Sequence, residues 1–356
     1  MNEIGYASIL DAKPEESGNH LRIFHVSGTK CPVVMMPSGA TTTAGKPFVL
    51  NRPARVLRFI RQAQAPNTLR GYRQAWRHFA AWCSLYERQP LPADPATVAE
   101  YLADCADIMA VGTIARRIIA ISKAHQAAGF SSPAAMSHAI VRETWRGIRR
   151  AKGIRQAQKD PVLVADLRGM IASTPSGLLG FRDRALLLLG FAGAFRRSEI
   201  VGLNVEDLRF DAAGLTILLR RSKTDQEGEG RLVGIPAGSD PETCPLRAVR
   251  FWLLASKIQH GALFRPIGRS GRLGEARLSD RSVALIVKRY AALIGKDVNQ
   301  FAGHSLRAGL VTSAVIAGAS ERSIMNQTGH RSPMMVRRYI RNVSVFQDNA
   351  AARTGI

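Results

Sequence analysis

The sequence predicts a mainly α-helical protein with a small β-sheet, a helical domain followed by an α+β domain. Three observations carry this. Apolar residues recur at alternating steps of three and four over much of the chain, the period of a helix with one buried face. Two short β-rich runs, Leu215–Arg220 and Arg231–Pro236, stand apart, with the polar stretch 223–230 as the loop between them. The chain has 356 residues, 46% of them hydrophobic, enough for two ordinary cores.

Residues 1–51 lack sustained periodicity and read as an arm, partly disordered or folded only on a partner. Within it, Ala40 to Pro47 misses a phosphate-binding loop. Ala40 stands where the first glycine is needed, and Pro47 where a hydroxyl would hold magnesium. Residues 52–150 read as a bundle of four or five helices. A short helix is expected over Arg55 to Gln64. The clearest stripe follows: Leu69, Tyr72, Trp76, Phe79, Cys83 and Tyr86. Asp94 caps the next helix and Pro95 opens it, with Val98, Tyr101, Leu102 and Cys105 inward. Thr113 is expected to cap a third, through Ile114, Ile118, Ile121 and His125, with Gly129 ending it. A fourth covers about Ser137 to Lys152. The polar stretch 151–160 before Pro161 reads as a linker.

Residues 161–356 form the second domain. Arg182 to Phe195 reads as a buried helix, and Pro245 to Ser256 as another. Ser279 opens a helix with Val283, Ile286, Val287, Tyr290 and Leu293 on one side. Arg265 to Arg277 reads as a basic, glycine-rich loop between them.

Charge narrows the function. Lys and Arg number 50 against 27 Asp and Glu, a net charge of +23, so a polyanion is the expected partner and nucleic acid the first candidate. An acidic membrane surface ranks second, but no apolar run approaches the roughly 18 residues of a span. In the first domain, Arg70, Arg73, Arg77, Arg116, Arg117, Lys123, Arg142 and Arg146 lie off the apolar stripes, where they would meet DNA phosphates. The start of the chain mixes both charges around no apolar core, which predicts no secretion signal and a cytoplasmic protein. Cys31, Cys83, Cys105 and Cys244 lack any Cys-x-x-Cys spacing and read as reduced thiols; no metal or other cofactor is expected.

A set of polar residues remains: Arg196, Glu199, Lys223, His304, Arg307, His330 and Tyr339. His304 and Arg307, three apart, share a helix face. Tyr339 lies in the basic run Arg337-Arg338-Tyr339-Ile340-Arg341. Its hydroxyl is a possible nucleophile for a phosphate ester, given cations and a base close by.

In that order the set resembles the tyrosine recombinase (phage integrase) family. Gly193-Ala194-Phe195-Arg196-Arg197-Ser198-Glu199 is similar to its first box, Ser222-Lys223-Thr224-Asp225 to its lysine hairpin, and His304 to Arg307 to its His-x-x-Arg box. His330 and Tyr339 follow, with thirty-two positions from Arg307 to the tyrosine. Phe79-Ala80-Ala81-Trp82-Cys83 and Tyr339-Ile340-Arg341-Asn342 look like the Cre-like branch. The resemblance implies a helical core-binding domain, a catalytic domain, and DNA cutting and rejoining through a 3′-phosphotyrosine without ATP or metal. It implies that Arg196 and Arg307 clamp the phosphate, Lys223 protonates the leaving oxygen, His304 serves the tyrosine proton and His330 donates to a phosphate oxygen. Glu199 would orient His304 and the cluster, or simply pair with an arginine. The resemblance further implies a homotetramer on two DNA sites, coupled by a tail carrying Val343, Val345 and Phe346, with accessory proteins possible. A type IB topoisomerase and a binder that has lost catalysis are the competing readings.

Overall fold

The computed structural model describes residues 64–153, 158–220, 222, 229–343 and 354. The expected arm, the Ala40–Pro47 stretch, nearly all of the Arg55–Gln64 helix, Lys223 and most of the tail lie outside these residues. The architecture is mostly helical, with one small antiparallel sheet. The chain divides at residues 156/157 into two compact units.

The first unit holds α1 (Pro66–Leu85), α2 (Pro95–Ile108), α3 (Val111–Ala127) and α4 (Ala139–Lys152). Pro66 and Pro95 open their helices, where the missing N–H costs nothing. Asp94 caps α2 by accepting from the Thr97 amide at 2.7 Å. The inward faces meet in one core of Phe79, Cys83, Tyr101, Leu102, Ile114, Ile121 and Val141. Tyr86, expected at the end of the α1 stripe, instead lies just past the helix and is exposed. The helix α3 begins two residues before Thr113, which therefore sits in its first turn; the N-cap is Ala110, with no side-chain bond. His125 is fully buried. Its Nδ1–H donates to the Ile121 carbonyl and its Nε2 accepts from the Ala93 amide, so burial holds it neutral and its pKa down.

The second unit runs α5 (Val164–Ala172), α6 (Leu178–Ala192), α7 (Arg197–Gly202), β1 (Leu208–Phe210), β2 (Gly214–Leu219), β3 (Arg231–Pro236), α8 (Pro245–Ser256), α9 (Asp280–Leu293), α10 (Ser305–Ile316), α11 (Glu321–Thr328) and α12 (Pro333–Val343). The strands pair antiparallel in the order β1-β2-β3, with Ile217 opposite Val233. The three-residue β1 was not foreseen. Leu186, Leu187 and Leu189 make α6 the centre of the core, packed on α8 and α10. Asp183, wholly buried, takes Arg182 and the Tyr290 hydroxyl (3.0 Å), which pins α6 to α9. Leu293 departs from its expected face and is exposed, because α9 ends there.

The helix α10 lies close against the start of the unit. A Cβ on Gly309 would fall 1.9 Å from the Val162 carbonyl oxygen, and the Val162 amide donates to Ser305 at 3.0 Å. Only a residue without a side chain permits that approach. Gly309→Ala should therefore cost about 1–3 kcal/mol as α10 is pushed outward. A lowered urea midpoint with an unchanged slope checks this.

Candidate active site

The site is assembled from the ends of four helices. Ala194, buried, sits at φ +48°, a left-handed conformation that costs a non-glycine residue roughly 1–2 kcal/mol. That turn aims its carbonyl at α10, where the Arg307 Nη1 donates to it at 2.7 Å. Arg196 follows as the N-cap of α7. Glu199, in the first turn of α7 and buried, receives the Arg196 amide at 2.8 Å and its guanidinium Nη1. The carboxylate thus fixes both backbone and side chain of one arginine. Both of these bonds go to Arg196. Arg197, its neighbour, points elsewhere and pairs with Asp280 at 3.2 Å.

Arg307 is the floor of the site, with no exposed surface. Besides Ala194 it reaches His330, whose Nε2 lies 3.0 Å from Nη2. An arginine only donates, so Nε2 accepts and the ring proton sits on Nδ1. Nδ1–H then donates to Thr328 Oγ1 at 2.8 Å, and that hydroxyl donates to the Ile324 carbonyl at 2.7 Å. Both ring nitrogens are committed. In this arrangement His330 holds Arg307 and has no N–H left for a phosphate oxygen. The Arg307 Nε is buried with no hydrogen-bond partner among the described residues.

His304 and Tyr339 form the rim. His304 is the exposed N-cap of α10, and its Nε2 lies 3.3 Å from the Tyr339 hydroxyl on α12. Tyr339 packs beside a satellite core of Val311, Ile324 and Val336, which holds α12 against α10 and α11. Its ring is tilted over His330 at 6.5 Å. Six of the seven candidates thus converge, and Lys223 lies outside the described residues.

A further cation was not singled out from the sequence. Arg231, at the start of β3, acts on the charges of Arg307 and His330. Among the described residues the cluster therefore holds Arg196, Arg231 and Arg307 against one carboxylate, Glu199. Burial first, and then Arg196, lower the Arg307 pKa to about 10, still charged at neutral pH. Burial, followed by Arg307 and Arg196, lowers that of His330 to about 4. A signal for Arg231 did exist, a lone arginine opening an apolar strand, but a fold contact over ninety positions is invisible in sequence.

In the first unit, Arg70, Arg77, Arg116, Lys123, Arg142 and Arg146 are exposed. Arg73 is half-buried. Arg117 differs. Its Nη1 donates to the Ala75 carbonyl at 3.1 Å and so tethers α3 to α1.

The His330 shift has a pH consequence. The unfolded chain takes up its proton near pH 6.5, the folded chain only near pH 4. More protons on the unfolded state mean that stability falls as pH drops through that window, by roughly 3 kcal/mol for this group. His330→Gln, which does not titrate there, should show a correspondingly flatter decline between pH 6.5 and 4 in urea unfolding. Parallel curves for the two proteins would remove His330 from the acid response.

The phage integrase family matches residues 164–344 of the chain. An integrase/recombinase XerD homolog of Selenomonas ruminantium is 44% identical over 301 residues, covering 83% of this chain and 87% of that protein. The recombinase Cre of Escherichia phage P1 is 25% identical over 301 residues, covering 80% and 86%. Among solved structures, the XerH site-specific recombinase bound to palindromic difH substrate has a similar fold, with a TM-score of 0.59 at 16% identity over 82% of this chain and 80% of that one. A lambda integrase dimer bound to a COC′ core site gives a TM-score of 0.53 at 14% identity over 83% and 78%.

Proposed function

We propose that the chain, which belongs to the phage integrase family and is a tyrosine-type site-specific recombinase, cuts and rejoins duplex DNA through a 3′-phosphotyrosine link within a tetrameric synapse. The observation that carries the reading is the charge imbalance of the site. Among the described residues three guanidinium groups meet one carboxylate, and the excess positive charge calls for an anion at the rim where Tyr339 lies. A phosphodiester is such an anion.

The chemistry then follows from the geometry. The Tyr339 oxygen attacks phosphorus and its proton passes to His304 Nε2, already within reach. The bond from phosphorus to the 5′ oxygen breaks, and Lys223 returns a proton to that oxygen. Arg196 and Arg307 stabilise the charge that builds on the non-bridging oxygens. His330, through Nε2, keeps Arg307 turned toward them. The phosphotyrosine retains the energy of the broken bond, so rejoining is the same step reversed, with no ATP or metal called upon.

The first unit supplies backbone contacts through Arg70, Arg73, Arg77, Arg116, Lys123, Arg142 and Arg146, with Arg117 holding the scaffold. Among the described residues no helix is long and apolar enough to cross a membrane. The enzyme works where its DNA is, in the cytoplasm, and on the nucleoid if the cell is prokaryotic. Four protomers assemble on two sites, with accessory proteins as possible further partners. A cavity of about 440 Å³ in the second unit, lined by Leu167, Leu188, Phe191, Ile235, Leu310 and Ile324, supports the assembly. In this reading its mainly apolar lining would receive a neighbour's Val345 and Phe346.

Tyr339→Phe removes one oxygen and leaves the packing intact. It should bind a half-site as the parent does and form no covalent adduct on a nicked site. An adduct formed by the variant would move the nucleophile to another residue.

A further inference from the structure

Arg231 follows directly on the segment that carries Lys223. Its side chain turns away from the sheet toward the end of α11. There Nη1 donates to the carbonyls of Gln327 (3.2 Å) and Asn326 (3.4 Å). A helix leaves its last carbonyls unpaired and its C-terminal end negative, so a guanidinium is well placed there. The helix closes on Gly329, at φ +68°, whose amide donates to Met325 at 2.7 Å. A Cβ at Gly329 would lie 2.8 Å from the Arg231 Nε. Glycine suits the left-handed turn, and a side chain there would displace the arginine packed beneath it. The next residue is His330.

The arrangement costs the protein something. Arg231 Nη2 is buried and has no hydrogen-bond partner among the described residues. Leaving a buried donor unpaired is unfavourable, and a surface strand end does not need an arginine turned inward. Alternation along β3, with Leu232 68% exposed and Val233 and Ile235 buried, sets Arg231 on the inward face of the strand, where an apolar residue would ordinarily pack. What the side chain does accomplish is a link between β3 and the end of α11, far apart in sequence.

We propose that Arg231 is a positioning residue that fastens the end of the Lys223 hairpin to the turn presenting His330, and thereby sets how His330 receives Arg307. The proposal rests on the reading of this cluster as a phosphoryl-transfer site. Arg231 would not touch the phosphate. It acts through His330, whose ring also faces Arg307 and His304 from α10, Arg196 from the start of α7 and Tyr339 from α12. Among these cations Arg231 is the one contributed by the sheet.

The test compares the full-length parent with Arg231→Met and Arg231→Lys. Three readouts are taken: single-turnover adduct formation on a nicked site, half-site affinity, and the His330 imidazole titration by NMR. In Arg231→Met, adduct formation should slow roughly tenfold to a hundredfold while half-site affinity stays within about threefold, the mark of a misplaced group. Its His330 titration should move upward, because a neighbouring cation is gone. Arg231→Lys should return the titration close to the parent's and recover only part of the rate, since one ammonium cannot hold both carbonyls and pack under Gly329. A Met variant with parental rate and titration would overturn the proposal. So would a Met variant whose rate loss merely follows lost half-site binding, with His330 unmoved. If Arg231→Met does not fold, Arg231→Lys carries the test, and parental rate with an unshifted Thr328–His330 spectrum would refute it. A parent that forms no adduct defeats the phosphoryl-transfer reading. The His330 titration would still decide whether Arg231 sets that ring.

Discussion

The structure of the site depends on one buried guanidinium. Arg307 has no exposed surface, yet it joins three segments: its own helix α10, the strained turn at Ala194 that precedes Arg196, and the turn at His330. A buried charge is expensive unless it is bonded on several sides. Each bond made to satisfy Arg307 fixes a neighbour. The Ala194 carbonyl is held by Nη1, which helps offset its left-handed backbone. The His330 tautomer is dictated by Nη2 and then by Thr328. Removing Arg307 would therefore release the positions of both flanking boxes together.

Burial is graded across the site, and the grade matches the chemistry. Glu199, Arg307 and His330 form a buried floor, Arg196 and Tyr339 are half-exposed, and His304 faces solvent. In the proposed reaction Tyr339 and His304, which would exchange a proton, sit at the rim, and Glu199 and Arg307, which would hold charge, sit beneath, where a low dielectric strengthens their effect. Glu199 bonds Arg196 and, among the described residues, pairs with neither Arg231 nor Arg307, though its charge still acts on both. A positively charged floor under a tyrosine–histidine pair is prepared for an anionic substrate before that substrate arrives.

Much of this was legible in the sequence where the information is local. The stripes of α1, α2 and α9 named buried residues such as Phe79, Tyr101 and Tyr290, because a helix repeats its inward face every three or four positions. Asp94 and Ser279 marked helix starts through their own side chains. The seven polar candidates were named from residue types, their order and the family resemblance, on which the choice of Lys223 rests, and six of them meet in space. What local reading missed are contacts over long separations. The Arg307–Ala194 bond, the Arg231 bonds to the end of α11 and the Arg117 tether to α1 each join distant stretches. The bonds of His330 were out of reach for a related reason: they depend on Thr328 and Arg307 together, which no spacing reveals. Thr113 failed as a cap because α3 could start earlier without one.

The central claim is that Arg307 works as a fork, bonded at once to Ala194, to His330 and, in the complex, to the scissile phosphate. Arg307→Lys keeps the charge and removes the fork. Single-turnover cleavage of a nicked site by this variant, measured beside half-site affinity, is the most direct test. The account predicts a loss of about a hundredfold to a thousandfold in cleavage with affinity little changed. Cleavage close to that of the parent would show that charge alone suffices, and that the arrangement built around this guanidinium is not what drives the reaction.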